Sequence, residues 1–479
     1  MDTQAHGKPI VVIIGGGVSG AGVAYYLAQS GLVAPGHLIV FEPRRKLGAG
    51  LAYDTPDPAH RINVPSIKMS LLPDDPEHFQ RWVDASDAIA GDEDARSFLG
   101  HLFPRRAVFG DYVNAMVQPL IDSGAITHLA RKVSDVRRRN NRWLVSDEEG
   151  RRVEADILVL ATSHPSPTPP ASLTRALGHH PRFVADPTRP DALDVIGAGD
   201  RVLVVGNGLT SADVIASLDL RGHRGAITAI SRRGLRSRGH ARTPQDPYGD
   251  FTTAPARTAL ELLKKVRHTI REAEAGGASW HGVIDQVRGQ GHVLWRALPV
   301  SERRRIVRHL RPYWDVHRFR IAPQVEEVGD RAIAAGRLEI LAASIESVRV
   351  DGEKIDCVLR VSRSQNRIER LFDAVVVTTG PGHRAIFESQ GWIARLAEAG
   401  YLALEPTGLG LDCTMTSQAL GPTGEIAPSF YISGPLARGT FGELMGLPQV
   451  AEHAVFVAGQ VAKEIELMGD LTRLDNSAA

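Results

Sequence analysis

The sequence has few cysteines, little charge imbalance and no long apolar segment, and each of these absences excludes a class of protein. Only two cysteines, Cys357 and Cys413, occur in 479 residues, so we expect no disulfide framework, and a reducing compartment fits. The formal net charge of +1 indicates neither a nucleic-acid partner nor an anionic membrane surface. The apolar run that begins at Ile10 is too short and too rich in glycine to span a bilayer, and the N-terminus lacks the regions of a signal peptide. We therefore predict a cytoplasmic protein with no metal site.

Common catalytic motifs are missing as well. The chain contains no Gly-x-Ser-x-Gly, His-Glu-x-x-His or Cys-x-x-Cys sequence, so neither a side-chain nucleophile nor a redox dithiol is indicated. A chain of 479 residues is too long for one compact core, and two or three domains are expected.

A glycine-rich turn follows the first predicted strand. Residues 10–14 form an apolar, β-branched run that is typical of a strand buried on both faces of a parallel sheet. After it, Gly15 permits a tight turn, Gly17 lets a pyrophosphate approach the backbone, and Gly20 lets the following helix pack closely on the strand. The pattern predicts a dinucleotide bound at the helix N-terminus. The predicted contacts in this turn are Gly15, Gly17, Val18, Ser19 and Gly20.

The second predicted strand, residues 37–41, ends in an acid. Glu42 stands where a carboxylate can accept hydrogen bonds from a ribose 2′-hydroxyl. Strand, glycine turn, helix, strand and acid follow one another in the order that dinucleotide binding requires, whereas a chance glycine turn lacks this context.

A second glycine turn of the same kind follows another apolar run, residues 201–205. Gly206 and Gly208 open a predicted helix, and small residues, including Thr210 and Ser211, take the place of the third glycine. This pattern predicts a second dinucleotide site.

The strand that follows this second turn, residues 226–230, leads into Arg232 and Arg233 instead of an acid. Paired arginines can hold a 2′-phosphate through forked, charge-assisted hydrogen bonds, whereas an acid would repel it. The contrast with Glu42 assigns FAD to the first site and NADPH, in preference to NADH, to the second. A solvated basic turn is the alternative interpretation.

Residues 126–162 and 338–380 resemble each other. Each block contains a strand, a β-meander and an aspartate, Asp156 or Asp373, followed by a buried strand that ends in threonine. The predicted fold is therefore α/β, with two nested Rossmann-like dinucleotide-binding domains, for FAD and for NAD(P), and a helical insert. The FAD-binding domain is predicted to comprise residues 1–196 and 381–479, the NAD(P)-binding domain residues 197–380, and the insert residues 235–323.

Six short blocks, spread over both ends and the middle of the chain, carry a family resemblance. They are Gly48-x-Gly50-x-Ala52-Tyr53; Ile62-Asn63-Val64-Pro65 with Met69; Pro104-Arg105-Arg106-x-x-Phe109-Gly110-Asp111-Tyr112; Gly206-Asn207-Gly208-Leu209-Thr210 with Asp213; Ser231-Arg232-Arg233-Gly234; and Gly434-Pro435 with Arg438-Gly439-Thr440. In these blocks the chain resembles the bacterial FAD/NAD(P)-binding proteins related to the class B flavin monooxygenases. That branch includes members similar to aspartate N-hydroxylases and members similar to FAD-dependent urate hydroxylases.

The resemblance implies an NAD(P)H-dependent flavin monooxygenase. NADPH or NADH would reduce FAD, O2 would add to the reduced flavin, and the C4a-hydroperoxide would transfer one oxygen atom to a small polar, anionic substrate. Urate C-hydroxylation and amino-acid N-hydroxylation are the candidate reactions. The alternatives are a flavin reductase or oxidoreductase without oxygen insertion, which in its disulfide form needs a cysteine pair, and a nucleotide-binding sensor without turnover.

The same resemblance implies further site residues. Asn63, Val64 and Met69 should line the flavin ring, Gly434 should close the phosphate side, and a helix that starts within residues 442–449 should point its N-terminus at the flavin. This turn departs from the branch pattern, because Pro448-Gln449-Val450-Ala451 replaces the more usual Pro-Glu-Ile-Arg. The other predicted cofactor contacts are Val133, Thr162, Thr379, Gly380 and Pro448.

The insert is predicted to be helical over residues 258–274, 279–287 and 301–310, and it is dense in arginine and histidine. One interpretation is a pocket for an anion, with His240 or His317 as a proton carrier. The other is a set of solvated helix faces and partners for acids. The predicted catalytic residues are Asn63, Arg105 and His240. The predicted partners are a small-molecule substrate and O2, with no nucleic acid and no membrane, and a homo-oligomer is left open.

Overall fold

The computed structural model describes residues 8–165, 167–380, 382 and 385–477, with side chains up to residue 470. Its strands are β1 (Val11–Ile14), β2 (Leu38–Phe41), β3 (Thr127–Leu129), β4 (Val133–Arg139), β5 (Arg142–Asp147), β6 (Arg152–Ala155), β7 (Ile157–Leu160), β8 (Phe183–Val184), β9 (Val202–Val205), β10 (Ile227–Ser231), β11 (Leu338–Asp351), β12 (Lys354–Val361), β13 (Arg367–Phe372), β14 (Ala374–Val377), β15 (Gln418–Leu420) and β16 (Ile426–Ile432).

Its helices are α1 (Val18–Ser30), α2 (Gly50–Tyr53), α3 (His78–Asp84), α4 (Arg106–Asp122), α5 (Ala171–Leu177), α6 (Leu209–Leu220), α7 (Ala259–Ala275), α8 (Trp280–Gly289), α9 (Gly291–Ala297), α10 (Val300–Arg305), α11 (Arg311–Arg318), α12 (Pro323–Ala334), α13 (Ile386–Ser389), α14 (Gly391–Glu398), α15 (Arg438–Phe441) and α16 (Leu447–Ser477). A π-helical turn, Ile306–Leu310, joins α10 to α11.

The first sheet has the strand order β15-β16-β7-β1-β2-β3. Because β1 pairs in parallel with both β2 and β7, the carboxyl ends of these three strands lie at one edge. Alternate residues of β1 belong to different cores. Val11 and Ile13 pack with α1, α4 and α16, whereas Val12 and Ile14 pack on the side that β4, β5 and α14 cover. Burial on both faces explains why this run is apolar throughout.

The second sheet repeats the plan of the first. Its order is β13-β12-β11-β10-β9-β14-β8, in which β14-β9-β10-β11 corresponds to β7-β1-β2-β3. The two aspartates of the repeat also correspond. Asp156 accepts a hydrogen bond from Ile10 N at 2.8 Å, and Asp373 accepts one from Arg201 N at 2.7 Å, so each holds the start of the central strand of its sheet. The predicted α/β fold with two nested nucleotide-binding units is confirmed.

The two copies differ in how the meander is attached. β4, β5 and β6 form a separate three-stranded sheet. In the second copy, β11 pairs in parallel with β10 through Ala342 and then continues antiparallel to β12. The predicted domain boundaries after residues 196 and 380 stay a prediction, and residue 381 lies outside the described residues.

The helical insert has its own small core, made of residues such as Phe251, Val283 and Leu294. α7 and α8 begin where the sequence indicates, because the side chains of Thr258 and Ser279 cap them. The sequence analysis did not predict α9 and α11. Many residues of α11 are charged or polar. Arg311 pairs with Asp315 within the helix, and Arg318 pairs with Glu443, a tertiary contact that a sequence pattern does not show.

Among the described helices, none combines the length and apolar character needed to cross a bilayer. Nor do the described side chains include a group of three or more histidines, cysteines or acids that could hold a metal ion.

Candidate active site and nucleotide sites

A cavity of about 340 Å³ lies at the carboxyl ends of β1, β2 and β7, and we call it the first cavity. Ligands of parallel α/β sheets bind outside the carboxyl ends of the strands. Seven of the predicted cofactor contacts line this cavity: Gly15, Gly17, Val18, Ser19, Glu42, Val133 and Thr162. The structure therefore brings together residues that are up to 147 positions apart in the sequence.

The three glycines of the first turn have different surroundings. Gly15 has a φ of +100°, and a Cβ there would lie 2.6 Å from the carbonyl oxygen of Ala161. A Cβ at Gly20 would overlap the carbonyl oxygen of Gly15. At Gly17, by contrast, a Cβ would meet only the Cα of Gly50, at 3.5 Å. Gly15 and Gly20 thus allow close backbone packing, and Gly17 keeps the approach to the first cavity open.

α1 begins immediately beside the first cavity. Its N-cap residue, Gly17, provides no side-chain hydrogen bond. The N–H groups of the first helical turn have no intrahelical partner, and together with the helix dipole they favour an anion. A pyrophosphate fits this position.

Glu42 is 3% exposed and lies in the first cavity. Its Oε2 accepts a hydrogen bond from Gly16 N at 3.0 Å, and its Oε1 accepts bonds from Arg44 N at 3.1 Å and Arg44 Nη1 at 3.0 Å. A carboxylate has about four lone-pair sites, so acceptor capacity is left for a ribose hydroxyl.

Some residues of the first cavity were not predicted as contacts. The loop at Gly48 pairs with the glycine turn through a hydrogen bond from Gly48 N to Gly16 O at 2.7 Å, and the following helix α2 lines the cavity. The sequence signal for this loop was the Gly48-x-Gly50 block, which was used only to identify the resemblance. The buried Oγ1 of the predicted contact Thr162 has no hydrogen-bond partner among the described residues, which fits a site built for a polar ligand.

The start of α16 closes one side of the first cavity. Met445, Leu447 and Val450 line it, and α16 begins at Leu447, inside the predicted segment 442–449. Pro448 lies in the first turn of this helix and does not line the cavity. Gln449 Oε1 accepts hydrogen bonds from Arg288 Nε at 3.0 Å and Nη2 at 2.6 Å, so the turn that departs from the branch pattern is held by an arginine of α8.

Gly434 lies against the start of α1. Its φ is +76°, and a Cβ would overlap Ser19 Oγ. The buried His453 holds this turn, because its Nδ1 accepts a hydrogen bond from Gly434 N at 3.0 Å. The proton of His453 is then on Nε2, which lies 2.9 Å from Ser417 Oγ. Sequence analysis had no signal for His453.

His164, in the first cavity, was also missed. Its Nε2 lies 3.3 Å from Met445 Sδ. Burial, aided by the positive charges of Arg438 and Arg311, lowers the pKa of His164 to about 4, so the ring is neutral at neutral pH.

The predicted catalytic residues are only partly brought together. His240 Nε2 lies 3.0 Å from the backbone oxygen of Asn63. Burial is the main reason that the pKa of His240 falls to about 4. Arg105 lies beside Asp92: its side chain is 44% exposed, and its Nε lies 3.7 Å from Asp92 Oδ2. The first cavity is lined by none of the predicted residues Asn63, Val64, Met69, Arg105 and His240. Met69 packs in the core.

Arg106, the neighbour of Arg105, joins the two nucleotide-binding units. Its Nη2 lies 2.8 Å from Asp213 Oδ2, on α6, and its Nε donates to the backbone oxygen of Arg61 at 2.8 Å.

The second glycine turn has the backbone geometry of the first. Gly206 has a φ of +122°, and a Cβ would lie 2.5 Å from the carbonyl oxygen of Thr378, as Gly15 faces Ala161. α6 begins after Gly208, Thr210 lies in its first turn, and Ser211 is buried beneath it.

The space beside this second turn is small. The cavity next to Gly208 measures about 30 Å³, because residues 236–237 and 321–329 cover it. Arg232 is exposed, whereas the guanidinium of Arg233 lies 4.9 Å from the ring centroid of Tyr313. Thr379 is exposed and Gly380, with a φ of +80°, follows it. The part of these residues in NAD(P)H binding stays a prediction.

Four arginines of the insert that the anion-pocket interpretation included have acidic partners. Arg236 pairs with Asp330, Arg311 with Asp315, Arg318 with Glu443 and Arg320 with Asp285. His317 Nδ1 lies 2.7 Å from the backbone oxygen of Tyr313. These four arginines are therefore better described as partners for acids than as the wall of an open anion pocket.

A second large cavity, of about 670 Å³, lies between the helices of the insert and residues 409 and 438–443, and we call it the insert cavity. Leucine, isoleucine, valine and tryptophan side chains from α7, α8, α9 and α11 form most of its wall. Arg438 and Glu443 lie at the side that faces the first cavity. The sequence analysis did not predict this cavity.

The two cysteines are buried and lie in different cores. Burial raises the pKa of each thiol to about 12, so thiolate is scarce at neutral pH. They do not form a dithiol site.

Comparisons with known proteins agree with this geometry. Residues 12–165 match the sequence family described as FAD-NAD(P)-binding. No curated protein sequence matches the chain significantly.

Three solved structures share the fold over nearly their whole length. An ornithine hydroxylase from Pseudomonas aeruginosa, in its reduced form, is 14% identical with a TM-score of 0.64, covering 95% of this chain and 99% of its own. An ornithine N-hydroxylase from Kutzneria sp. 744, with reduced FAD, NADP+ and L-ornithine, is 16% identical with a TM-score of 0.59, covering 97% and 100%. An L-lysine 6-monooxygenase from Pseudomonas syringae is 17% identical with a TM-score of 0.62, covering 96% and 99%.

At these identities, the likeness to solved structures establishes the fold and not the reaction. Together with the family match, it confirms the predicted resemblance and the predicted cofactors, FAD and NAD(P). Residues 12–165 thus match an FAD-NAD(P)-binding family, and the chain as a whole shares the two-unit α/β fold of the ornithine hydroxylase and ornithine N-hydroxylase structures.

Proposed function

We propose that the chain is an NAD(P)H- and FAD-dependent monooxygenase that hydroxylates an anionic small molecule. The observation that carries the proposal is the pair of corresponding glycine turns, at Gly15 and Gly206, in two nested units that Arg106 and Asp213 join. Two nucleotide sites in one chain support hydride transfer between two cofactors.

Each wall of the first cavity has a distinct task in this proposal. The N-terminus of α1 binds the pyrophosphate of FAD, Glu42 binds its ribose, and the N-terminus of α16 faces the flavin, where its dipole favours negative charge. Bound FAD and NAD(P)H supply the redox chemistry. The chain itself orients the substrate and excludes water.

The overall reaction balances with one reductant and one oxidant. NAD(P)H gives two electrons and, with one proton, reduces one atom of O2 to water, while the other atom enters the substrate as a hydroxyl group. N-hydroxylation of an amino acid and C-hydroxylation of urate both fit this balance. The three similar structures are named for hydroxylation of ornithine or lysine, which favours the amine.

A disulfide reductase is the main alternative, since it also needs two nucleotide sites. Cys357 and Cys413 argue against it, because they are buried in separate cores. A sensor without turnover is the other alternative, and only the altered turn at Gln449 favours it.

The test begins with purified protein reconstituted with FAD. We expect a yellow protein that oxidises NADPH faster when a substrate is added, with one hydroxylated product formed per NADPH consumed. Urate, aspartate, ornithine and lysine are the first compounds to screen, and product is identified by mass spectrometry with ¹⁸O2.

The outcomes separate the three functions. Protein that binds no FAD contradicts both enzymatic proposals. NADPH oxidation that yields only hydrogen peroxide with every compound supports a reductase or a sensor. Incorporation of ¹⁸O into an organic product supports a monooxygenase.

A further inference from the structure

The insert cavity has the character of a binding site for an apolar group. Its wall includes the side chains of Leu263, Ile284, Val287, Leu294 and Trp314. A volume of about 670 Å³ lies within the range of sites that bury most of a drug-sized molecule. Side chains in this wall, such as Leu263 and Trp314, are only half-buried, so apolar surface is left in contact with water.

One side of the insert cavity carries a buried positive charge. Arg438 is 4% exposed and lines the cavity. In the described part of the chain, its Nε and Nη1 have no hydrogen-bond partner. A buried guanidinium with unsatisfied N–H groups is unfavourable unless an acceptor reaches it.

The groups around Arg438 leave a positive excess. The charged side chains that act on it are Arg311, Arg318, Asp315 and Glu443. Glu443 accepts both of its hydrogen bonds from Arg318, at 3.0 and 2.7 Å, and Asp315 pairs with Arg311 at 3.2 Å. Three arginines therefore share two carboxylates, and an anionic ligand would balance the remaining charge.

Arg438 lies where the two cavities approach each other. Gly442 and Glu443 line the insert cavity, and Met445 and Leu447 line the first cavity. Only a few residues of one segment thus separate the apolar space from the space assigned to FAD.

We propose that the insert cavity binds the apolar body of an amphipathic substrate whose acidic group is held by Arg438. This inference rests on the proposed function, and it replaces a small polar substrate by an anion with an aliphatic or aromatic portion. Urate and aspartate would leave most of the cavity unfilled.

Calorimetric titration of the FAD-loaded protein with straight-chain carboxylates tests the proposal. The probes are hexanoate, octanoate and decanoate, with decanol as the uncharged comparison, all below their micellar concentrations. Each added methylene should tighten binding about four-fold. Decanoate should bind at least roughly ten-fold more tightly than decanol, since hydrogen bonds to a charged group are strong.

Three variants and two matched controls assign the binding to this cavity. Leu263→Trp places a larger side chain in its wall and should weaken decanoate binding at least about ten-fold, whereas Leu260→Trp, on the exposed side of the same helix, should not. Arg438→Met should abolish the preference for decanoate over decanol, and Arg438→Lys should restore part of it. Arg308→Met is the matched control at an exposed arginine of the insert.

Two results would overturn the inference. One is equal or undetectable binding of hexanoate and decanoate. The other is an Arg438→Met protein that loses FAD but keeps the preference for decanoate, which would place the arginine in the flavin site. If Leu263→Trp does not fold, the comparison of Arg438→Met with Arg438→Lys still tests the proposal.

The result is separable from the proposed function, because binding is measured without NADPH. Decanoate binding without any NADPH-dependent hydroxylation would support the cavity and contradict the monooxygenase. Hydroxylation of urate or aspartate, without binding of hexanoate, octanoate or decanoate, would support the monooxygenase and contradict the proposed role of the insert cavity.

Discussion

Gly15 and Gly36 both have a positive φ, at +100° and +78°, but their surroundings differ. A Cβ at Gly15 would meet Ala161 and Thr162 backbone atoms within 2.8 Å, whereas a Cβ at Gly36 would have no neighbour within 4 Å. A glycine-to-alanine substitution therefore lowers the free energy of unfolding through two separable effects, one from backbone conformation and one from packing.

We expect Gly36→Ala to lower the free energy of unfolding by about 1–2 kcal/mol, the cost of the left-handed conformation. Gly15→Ala should cost about 1–3 kcal/mol more, because the strand end must shift. It should also reduce the FAD content. Urea unfolding and flavin absorbance measure both effects. Equal losses in the two variants would show that the close approach at Ala161 has no energetic importance.

His453 is a second residue whose surroundings make a measurable prediction. Burial lowers its pKa from 6.5 to about 4, so the unfolded chain binds a proton at a pH where the native chain does not. The stability from this residue is present above the unfolded pKa and is lost as the pH falls from about 6.5 towards 4, with a slope of up to about 1.4 kcal/mol per pH unit.

His453→Gln should reduce the pH dependence of stability in this range by up to that amount, since glutamine can accept from Gly434 N without titrating. Urea unfolding at several pH values provides the measurement, with His268→Gln on the exposed face of α7 as the matched control for the substitution itself. An unchanged slope in His453→Gln would contradict the assignment.

At the scale of single elements, we interpret the turn after β10 as the determinant of a preference for NADPH over NADH. Arg232 is exposed, and Arg233 is stacked on Tyr313 of α11. If Arg232 binds a 2′-phosphate, Arg232→Ala should raise the KM for NADPH about ten-fold or more, and that for NADH little, since a charge-assisted contact would be lost. Arg308→Ala is the control. An equal change in the KM for NADPH and the KM for NADH would favour the interpretation as a solvated basic turn.

The elements of the insert show where sequence patterns stop being informative. α7 was predicted because an N-cap threonine precedes a clear helical pattern. α9 follows α8 after a single residue, Gln290, so its boundary has no sequence marker. Of the charged residues of α11, Arg311 and Asp315 pair with each other within the helix, whereas Arg318 pairs with Glu443, which is distant in the sequence.

At the scale of the whole molecule, the relative placement of the two nucleotide-binding units rests in part on Arg106 and Asp213. Their side chains are 17% and 11% exposed and lie 2.8 Å apart. His60 Nε2 also lies 3.3 Å from Ser217 Oγ on α6. Hydride transfer between the two cofactors depends on this placement.

A double-mutant cycle with Arg106→Met and Asp213→Asn should give a coupling energy of about 1–3 kcal/mol. The same cycle for Lys46 and Asp111, an exposed pair, should give about 0.2–1 kcal/mol. Both single variants at the unit boundary should also slow NADPH-dependent flavin reduction in stopped-flow experiments. Weak coupling together with an unchanged reduction rate would show that other contacts set the placement.

The sequence by itself determined the two nucleotide-binding units, because their signals are local. A strand buried on both faces must be apolar throughout, and a tight turn against a backbone must be glycine, so residues 11–20 and 202–208 indicate their own structure. Only the tertiary structure decided which side chains lie together at the site. Arg105 was predicted as catalytic but lies away from the first cavity, while Arg106 joins the units. His164, His453 and Arg438 acquire their properties from burial, and the insert cavity is lined by helices that meet only in the folded chain.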